Sequence, residues 1–584
     1  MMTDKIAIKY IIKPLEVQSN TLDITIKVEN NKNDLLLLKM PIWRPGRYCL
    51  MDYAKDVTLF NVTDKYGNLL NNKKIDKTTW EITTNNESEI IVNYKYYANT
   101  LDAGSSLWDG EQLFITGITC LMYIPDRKDE PNQLLIEGLS NCKCATPLKS
   151  NPNKEDSYRW NFIADNYDEL VDHPLIISKS LIIDELKIDK TIYHICYQGD
   201  GNYDREKIKG DIEKIVKSQV TMMGDMPCEE YYFLYQIPQP DKKHGLEHRD
   251  STVIVFGPAY KFDDNEHYDL FMGFTSHEFY HLWNIKRIKP DVLYPFKYDE
   301  IFYTPTFFVA EGFTCYYGDL SLIRSGVWDK EKYFKNLAKH MTFEAKTYGR
   351  NITSLAMSSW DSWISHYQQG NPNQHISFYL KGELVGLLLD MEIRKNSNNK
   401  SNLDDVMKIF YNEYAKKDKG YTLESLLNIS SECAGKNLKV FFNDYILSTK
   451  KLNYDILQEY AGIKINKIDD DEEEALERLG IKFIRNSFGQ VGKVQPESDA
   501  YKAGVQQGDE IIAINNKKIS SDNIKSLMNY LKSKNEIEIS LFRNNILYNL
   551  KCNYTQKSSW KYSIDVLENQ TEEQKANLKT WLWI

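Results

Sequence analysis

The stretch His277-Glu278-Phe279-Tyr280-His281, inside GFTSHEFYHLWNIKRIKP, constrains the fold more than any other part of the chain. On a helix, histidines four residues apart lie on one face a turn above each other, where both imidazoles can reach a single metal ion. Zn²⁺ is the natural occupant. It favours nitrogen and carboxylate donors, and a catalytic site keeps three protein ligands with the fourth position open to water. Glu278, beside the first histidine, is placed to take a proton from that water. Phe271, Phe274, Trp283 and Ile285 give the helix apolar surface, and Pro290 is expected to end it. The competing reading is a surface helix with two solvated histidines.

Two glutamates compete for the third ligand position. Glu300 lies between Pro295 and Pro305, in a segment that reads as a loop. Glu311 opens the helix-compatible stretch AEGFTCYYGDL, and a second helix is the better platform for a ligand. Glu311 is therefore the expected ligand.

A chain of 584 residues must divide into several domains. Its net charge of -10 is spread along the sequence, without the basic stripe that nucleic acid would require. No apolar run reaches the roughly 20 residues of a membrane span, and MMTDKIAIKYIIKP lacks the apolar core of a signal peptide, so a cytoplasmic protein is expected. The nine scattered cysteines fit reduced thiols rather than a disulfide framework. Cys142 and Cys144 form a lone C-x-C, without the second pair a metal site needs.

Up to about residue 180 the sequence alternates as strands do, in IAIKYIIKP, LDITIKVE and EIIVNYKYYA, separated by turn clusters. From about residue 190, strands TIYHICYQG, EYYFLYQIP and STVIVFGP surround the helical REKIKGDIEKIVKSQVTMMGD. Beyond Glu311, apolar stripes at helical spacing continue almost to residue 450. The acidic run IDDDEEEALERLG reads as a solvated linker or the start of a surface helix.

HEFYHLWNIKRIKP followed by AEGFTCYYGDL resembles the glycyl aminopeptidase family of zinc metallopeptidases, which carry a C-terminal PDZ domain. The segments MPIWRPGRY and NYDELVDHP resemble the N-terminal region of the same family, and Trp43, Pro45 and Gly46 in the first of these are read as a packed turn rather than a site. AGVQQGDEIIAINN, Ala503 to Asn516, resembles a PDZ domain of protease-associated type. The resemblance implies a multidomain α+β chain. An all-β, sandwich-like domain would span residues 1–180, and a thermolysin-like catalytic domain with a helical subdomain residues 181–465. A PDZ domain would span 466–554, and a tail, 555–584, would dock on the body.

The resemblance also implies roles. The glutamate of the EGFT stretch, Glu311, would be the third ligand beside His277 and His281 of one Zn²⁺ per chain. Gly245, Leu246 and Glu247 match a glycine, apolar, glutamate sequence whose carboxylate binds the substrate's free α-amine; the competing reading of Glu247 is an exposed glutamate on an edge strand. His244 and His248 on either side are not expected as ligands, because the site already has three. Tyr379, in Tyr379-Leu380-Lys381-Gly382, would stabilise the oxyanion, with Glu278 as general base. Leu479, Gly480 and Ile481 would form the PDZ carboxylate-binding loop. In thermolysin an aspartate four residues after the glutamate ligand orients a zinc histidine; here that position is Cys315, so the histidine support must come from elsewhere, with Asp319 one option.

The expected activity is zinc-dependent removal of an N-terminal residue, Gly or Ala by family likeness. The partners are peptides with a free N-terminus and a possible C-terminal peptide ligand of the PDZ domain; no nucleic acid or membrane partner is expected. The alternatives are a zinc endopeptidase with Glu247 as an ordinary surface residue, and a PDZ adaptor with a degenerate peptidase body.

Overall fold

The computed structural model describes residues 6–151, 160–365, 370–470, 476–484, 487–531, 533–555 and 560–584. It forms two compact units, one of residues 1–328 with 403–429 and the other of 329–402 with 430–584.

The first unit begins β-rich, as the alternation predicts, with its strands distributed over three sheets. A seven-stranded sheet has Ile8–Pro14 at its centre, parallel to Asn132–Ile136 and antiparallel to Thr21–Glu29. In Thr21–Glu29 the period-2 pattern sends Leu22, Ile24, Ile26 and Val28 inward. They lie opposite Tyr96, Tyr94, Val92 and Ile90 of Glu89–Tyr97. A one-residue slip would turn all of them to solvent, so this pairing sets the register.

A five-stranded mixed sheet follows, in the order Ile182–Ile188, Thr191–Gln198, Glu230–Gln236, Ser251–Phe256, Lys243–Glu247. The three central strands run parallel, and the two outer ones antiparallel to their neighbours. Ser251–Phe256 is buried along its whole length, the continuous apolar run expected of a strand covered on both faces. One core joins this sheet to a four-stranded sheet of the β-rich part: Phe114, Ile176 and Leu107 pack with Leu234, Val253 and Leu246. That shared core is why the β-rich part and the mixed sheet belong to one unit.

The HExxH helix runs Asn265–Tyr280, capped by the Asp264 carboxylate, which accepts from the amides of Glu266 and His267. It ends well before the expected Pro290. His281 is its C-terminal cap, and the chain reverses through Ile285, whose φ is 94°. Glu311 lies in a π-helical segment, Phe308–Phe313, that continues into the helix Thr314–Arg324.

The second unit contains the helices Lys330–Lys346 and Phe378–Asn396 and a PDZ-like sheet. That sheet runs Ile481–Ile484, Ser487–Val494, Glu510–Ile514, Glu536–Arg543, Ile546–Asn553 around the core of Leu479, Val491, Ile514, Leu531, Ile539 and Leu541. The strand Ile463–Asp469, whose last two residues begin the acidic run, pairs antiparallel with Trp560–Val566, so the PDZ-like sheet is bracketed by a two-stranded ladder. Residues 471–475 of the run lie outside the described residues. The terminal helix Glu572–Leu582 buries Trp581 and Leu582, with Trp581 edge-on to Tyr333, and leaves Trp583 and Ile584 exposed.

Candidate metal centre and amine pocket

The last turn of the HExxH helix and the π-helical segment bring His277, His281 and Glu311 together, one donor atom of each within 4.8 Å of the others. The two Nε2 atoms are 3.1 Å apart. Glu311 Oε2 is 3.8 Å from that of His277 and 3.4 Å from that of His281. Glu300 is exposed and bonded to Lys297 at 3.1 Å. The close helix crossing depends on Gly318, where a Cβ would lie 3.1 Å from the His277 Cα, and on Ser276, whose hydroxyl donates to the Gly318 carbonyl at 2.7 Å.

Support for His281 comes from a group that sequence reasoning did not find. Its Nδ1 is 2.8 Å from the Asn284 carbonyl oxygen and 3.4 Å from the Thr314 hydroxyl. A carbonyl can only accept, so Nδ1–H donates and Nε2 keeps its lone pair for a metal. The Asn284 side chain reaches the other way, donating to the carbonyls of Val309 and Ala310 at 2.7 and 3.2 Å. One residue thus fixes both the ring of His281 and the segment that carries Glu311. The early helix end and the positive φ at Ile285 are what turn Asn284 back into this position.

Electrostatics suits a cation here. Burial alone would lower the His281 pKa, but the carboxylates of Glu247, Glu311 and Glu278 outweigh it and push it up to about 10. Against its own burial, the two histidines hold Glu311 down at about 2. Two facing imidazoles, a buried carboxylate and a surplus of negative charge fit a divalent metal with nitrogen and oxygen donors.

Glu278 and Glu247 stand beside this donor set. Their carboxylates and His281 Nε2 or Nδ1 form a second group with donor atoms within 4.8 Å. Both glutamates are buried, and Glu278 Oε2 and Glu247 Oε1 have no hydrogen-bond partner among the described residues. Burial raises both carboxyl pKa values, that of Glu278 well above the usual range; His281 opposes this in both, while Glu311 raises both further and Glu247 raises that of Glu278. Glu247 is on an edge strand, as its competing reading required, but it is not exposed.

Alternation along Lys243–Glu247 explains the triplet Gly245-Leu246-Glu247. Leu246 points into the shared core, so its side chain is structural. Gly245 and Glu247 share the opposite face, and a Cβ on Gly245 would collide with Glu278 Oε1. His244 Nδ1 accepts from the Ala103 amide at 3.1 Å, and His248 Nδ1 faces Asp172 Oδ1 at 3.3 Å; burial lowers both imidazoles to about 4.

The turn holding Trp43, Pro45 and Gly46 is packed, as expected, and it is also part of the pocket. Gly46 has φ 80°, and a Cβ there would lie 2.7 Å from Glu247 Oε2. The neighbouring Arg44 is buried, its Nε has no hydrogen-bond partner among the described residues, and its charge lowers the Glu278 carboxyl pKa against the larger effect of burial. The signal was present in WRPGRY, whose Gly between Pro and Arg marks a left-handed turn.

Tyr379 belongs to the second unit. It occupies the first turn of Phe378–Asn396, half-buried, its ring stacked on Phe378 with centroids 5.0 Å apart. In the same unit, the amides of Leu479, Gly480 and Ile481 donate to the carbonyls of Leu476, Glu477 and Leu476 at 3.0, 2.8 and 3.0 Å. The turn Glu477–Leu479 closes through Gly480 at φ 84°, which commits these amides to the loop itself.

Family models match three parts of the sequence: Peptidase M61 N-terminal domain over residues 9–179, M61 glycyl aminopeptidase over 270–385, and PDZ domain over 490–541. On two of these three models the chain matches the M61 peptidase family. It is accordingly a metallopeptidase, and the family match over 270–385 contains every residue of the donor set. Among solved structures, the aminopeptidase N family protein from Idiomarina loihiensis is 27% identical, with a TM-score of 0.90 over 98% of this chain and 100% of that one. The M1 zinc metallopeptidase from Deinococcus radiodurans is 12% identical, with a TM-score of 0.47 over 76% of this chain and 93% of that one. No curated protein matches the sequence. Among the described residues, no helix is long and apolar enough to cross a membrane.

Proposed function

We propose that this M61 peptidase is a zinc aminopeptidase that removes an N-terminal Gly or Ala, with one Zn²⁺ per chain held by His277, His281 and Glu311. Bound there, zinc supplies Lewis acidity to the scissile carbonyl and to the attacking water. Glu278 takes a proton from that water at its carboxylate and returns it to the leaving amine. Glu247 pairs with the substrate's α-ammonium, Gly245 leaves room for Glu278, and Tyr379 donates to the oxyanion. The part given to Tyr379 rests on the Tyr379-Leu380-Lys381-Gly382 sequence, the Gly preference on the glycyl aminopeptidase description of the matching family model, and its extension to Ala on family likeness alone.

The observation that carries this reading is the buried Glu247 carboxylate beside the metal donors, whose Oε1 has no hydrogen-bond partner among the described residues. A buried carboxylate without a partner is costly, and a substrate ammonium would supply that partner. An amine anchored at a fixed distance from the metal leaves only the first peptide bond in reach, which distinguishes an exopeptidase from an endopeptidase. The PDZ-like region would take an extended peptide along the sheet edge Ile481–Ile484.

The test is hydrolysis of Gly-Ala-Phe, Leu-Ala-Phe and acetyl-Gly-Ala-Phe with and without a zinc chelator. Chelator-sensitive release of glycine from the first peptide alone is expected. Cleavage of the acetylated peptide would make the enzyme an endopeptidase and remove the role of Glu247.

A further inference from the structure

Three short segments that are remote in sequence interlock beside the site. Each contributes one residue to each of two charged clusters. In the first cluster Lys286 Nζ is bonded to Asp172 at 2.7 Å, and His248 Nδ1 faces the same carboxylate at 3.3 Å. In the second, Arg287 donates to Asp250 Oδ1 at 2.7 Å, and His173 Nε2 lies 3.5 Å from Asp250 Oδ2. Asp172 and His173 end the helix Tyr167–Val171 of the β-rich part. His248 and Asp250 form the turn that follows the Glu247 strand, and Lys286 and Arg287 follow the HExxH helix.

Both carboxylates are held in charged form. Burial opposes this, yet Lys286 and His248 keep Asp172 well below the ordinary carboxylate range, and His173 and Arg287 hold Asp250 at about 2. Breaking one partner of such a buried pair leaves an uncompensated charge, so the clusters resist displacement. They also touch the site at both ends. His248 is next to Glu247 in sequence, and the Lys286 amide donates to the carbonyl of His281 at 3.2 Å. Arg287 further ties the turn to the helix end, donating to the Arg249 and Leu282 carbonyls at 2.9 and 2.8 Å.

We propose that this double clasp sets the distance between the amine anchor and the metal, and that Asp172 and Asp250 are positioning residues for recognition of the free amine. The proposal rests on the reading of Glu247 as the anchor. A clasp on the strand end controls where Glu247 stands relative to His281, and therefore which peptide bond the ammonium brings to the metal. The β-rich part is then more than a support, because it supplies the central carboxylate of the first cluster.

The experiment compares Gly-Ala-Phe with glycolyl-Ala-Phe, in which a hydroxyl replaces the amine, using the zinc-loaded full chain and its Asp172→Asn, Asp250→Asn and Glu247→Gln variants. With Asp172→Asn, KM for Gly-Ala-Phe should rise about tenfold with kcat little changed, glycolyl-Ala-Phe should be unaffected, and zinc content should be unchanged. Asp250→Asn should act in the same direction and carries the test if Asp172→Asn does not fold. Equal losses on both substrates, or no change on either, would overturn the proposal. Glu247→Gln separates the two levels. If it erases the preference for the amine while both clasp variants keep it, only the clasp fails; if it leaves the preference intact, the anchor and the clasp fall together.

Discussion

The metal centre and the PDZ-like loop treat buried polar groups in opposite ways. At the centre, Glu247 Oε1 and Glu278 Oε2 are buried with no partner among the described residues. In the loop 479–481, every amide that could receive a terminal carboxylate already donates to a carbonyl of the same turn. Unsatisfied groups held rigid are a cost to folding that a ligand can relieve, whereas a satisfied loop must lose its own bonds before it can take a carboxylate. The first region is built to receive charge; the second is closed on itself.

The sharpest way to break this contrast is to neutralise one of the unpaired carboxylates. Glu278→Gln should lower kcat on Gly-Ala-Phe roughly 10³-fold with zinc content unchanged by metal analysis. An active Glu278→Gln enzyme would mean that the buried oxygen is not the proton acceptor. Next in size is Gly245→Ala, whose methyl would collide with the Glu278 carboxylate. Displacing that group by about 1 Å should cost about 100-fold in kcat, while zinc affinity, read by chelator competition, stays as in the parent.

Asn284→Ala tests the support rather than the charge. It removes the donors to the Val309 and Ala310 carbonyls but keeps the backbone oxygen facing His281. Denaturant unfolding should show a loss of about 2 kcal/mol, and zinc should bind about tenfold more weakly as Glu311 loosens. The smallest effect is expected in the PDZ-like region. In the Glu278→Gln chain, a labelled peptide ending in a free carboxylate should bind within about twofold of its amidated twin, because the loop amides are committed. A large preference for the free acid would show that the loop opens, and the contrast between the regions would fail.

Much of the site was legible because its parts are periodic. The four-residue spacing put His277 and His281 on one helix face, whereas Gly245, Leu246 and Glu247 stand out in the sequence through family likeness rather than through a period. Glu311 could be chosen over Glu300 because prolines mark a loop and the AEGFT stretch marks a helix. The HExxH helix ends before Pro290, which is only a local stop signal, because His281 caps it and the chain reverses through Ile285 at φ 94°. The turn at Gly46 was read as packing alone, because only the folded chain brings it against Glu247.

The sequence by itself determined most of the elements, the candidate donor residues and the family likeness, since these depend on spacing within a turn or a strand and on short motifs. Tertiary structure decided which of those residues are deprived of water and which are paired. Asp172 and Lys286 are 114 residues apart, and Asn284 meets Ala310 across 26. Whether a carboxylate is neutralised, held charged or left without a partner depends on what remote segments place beside it, and no local period encodes that.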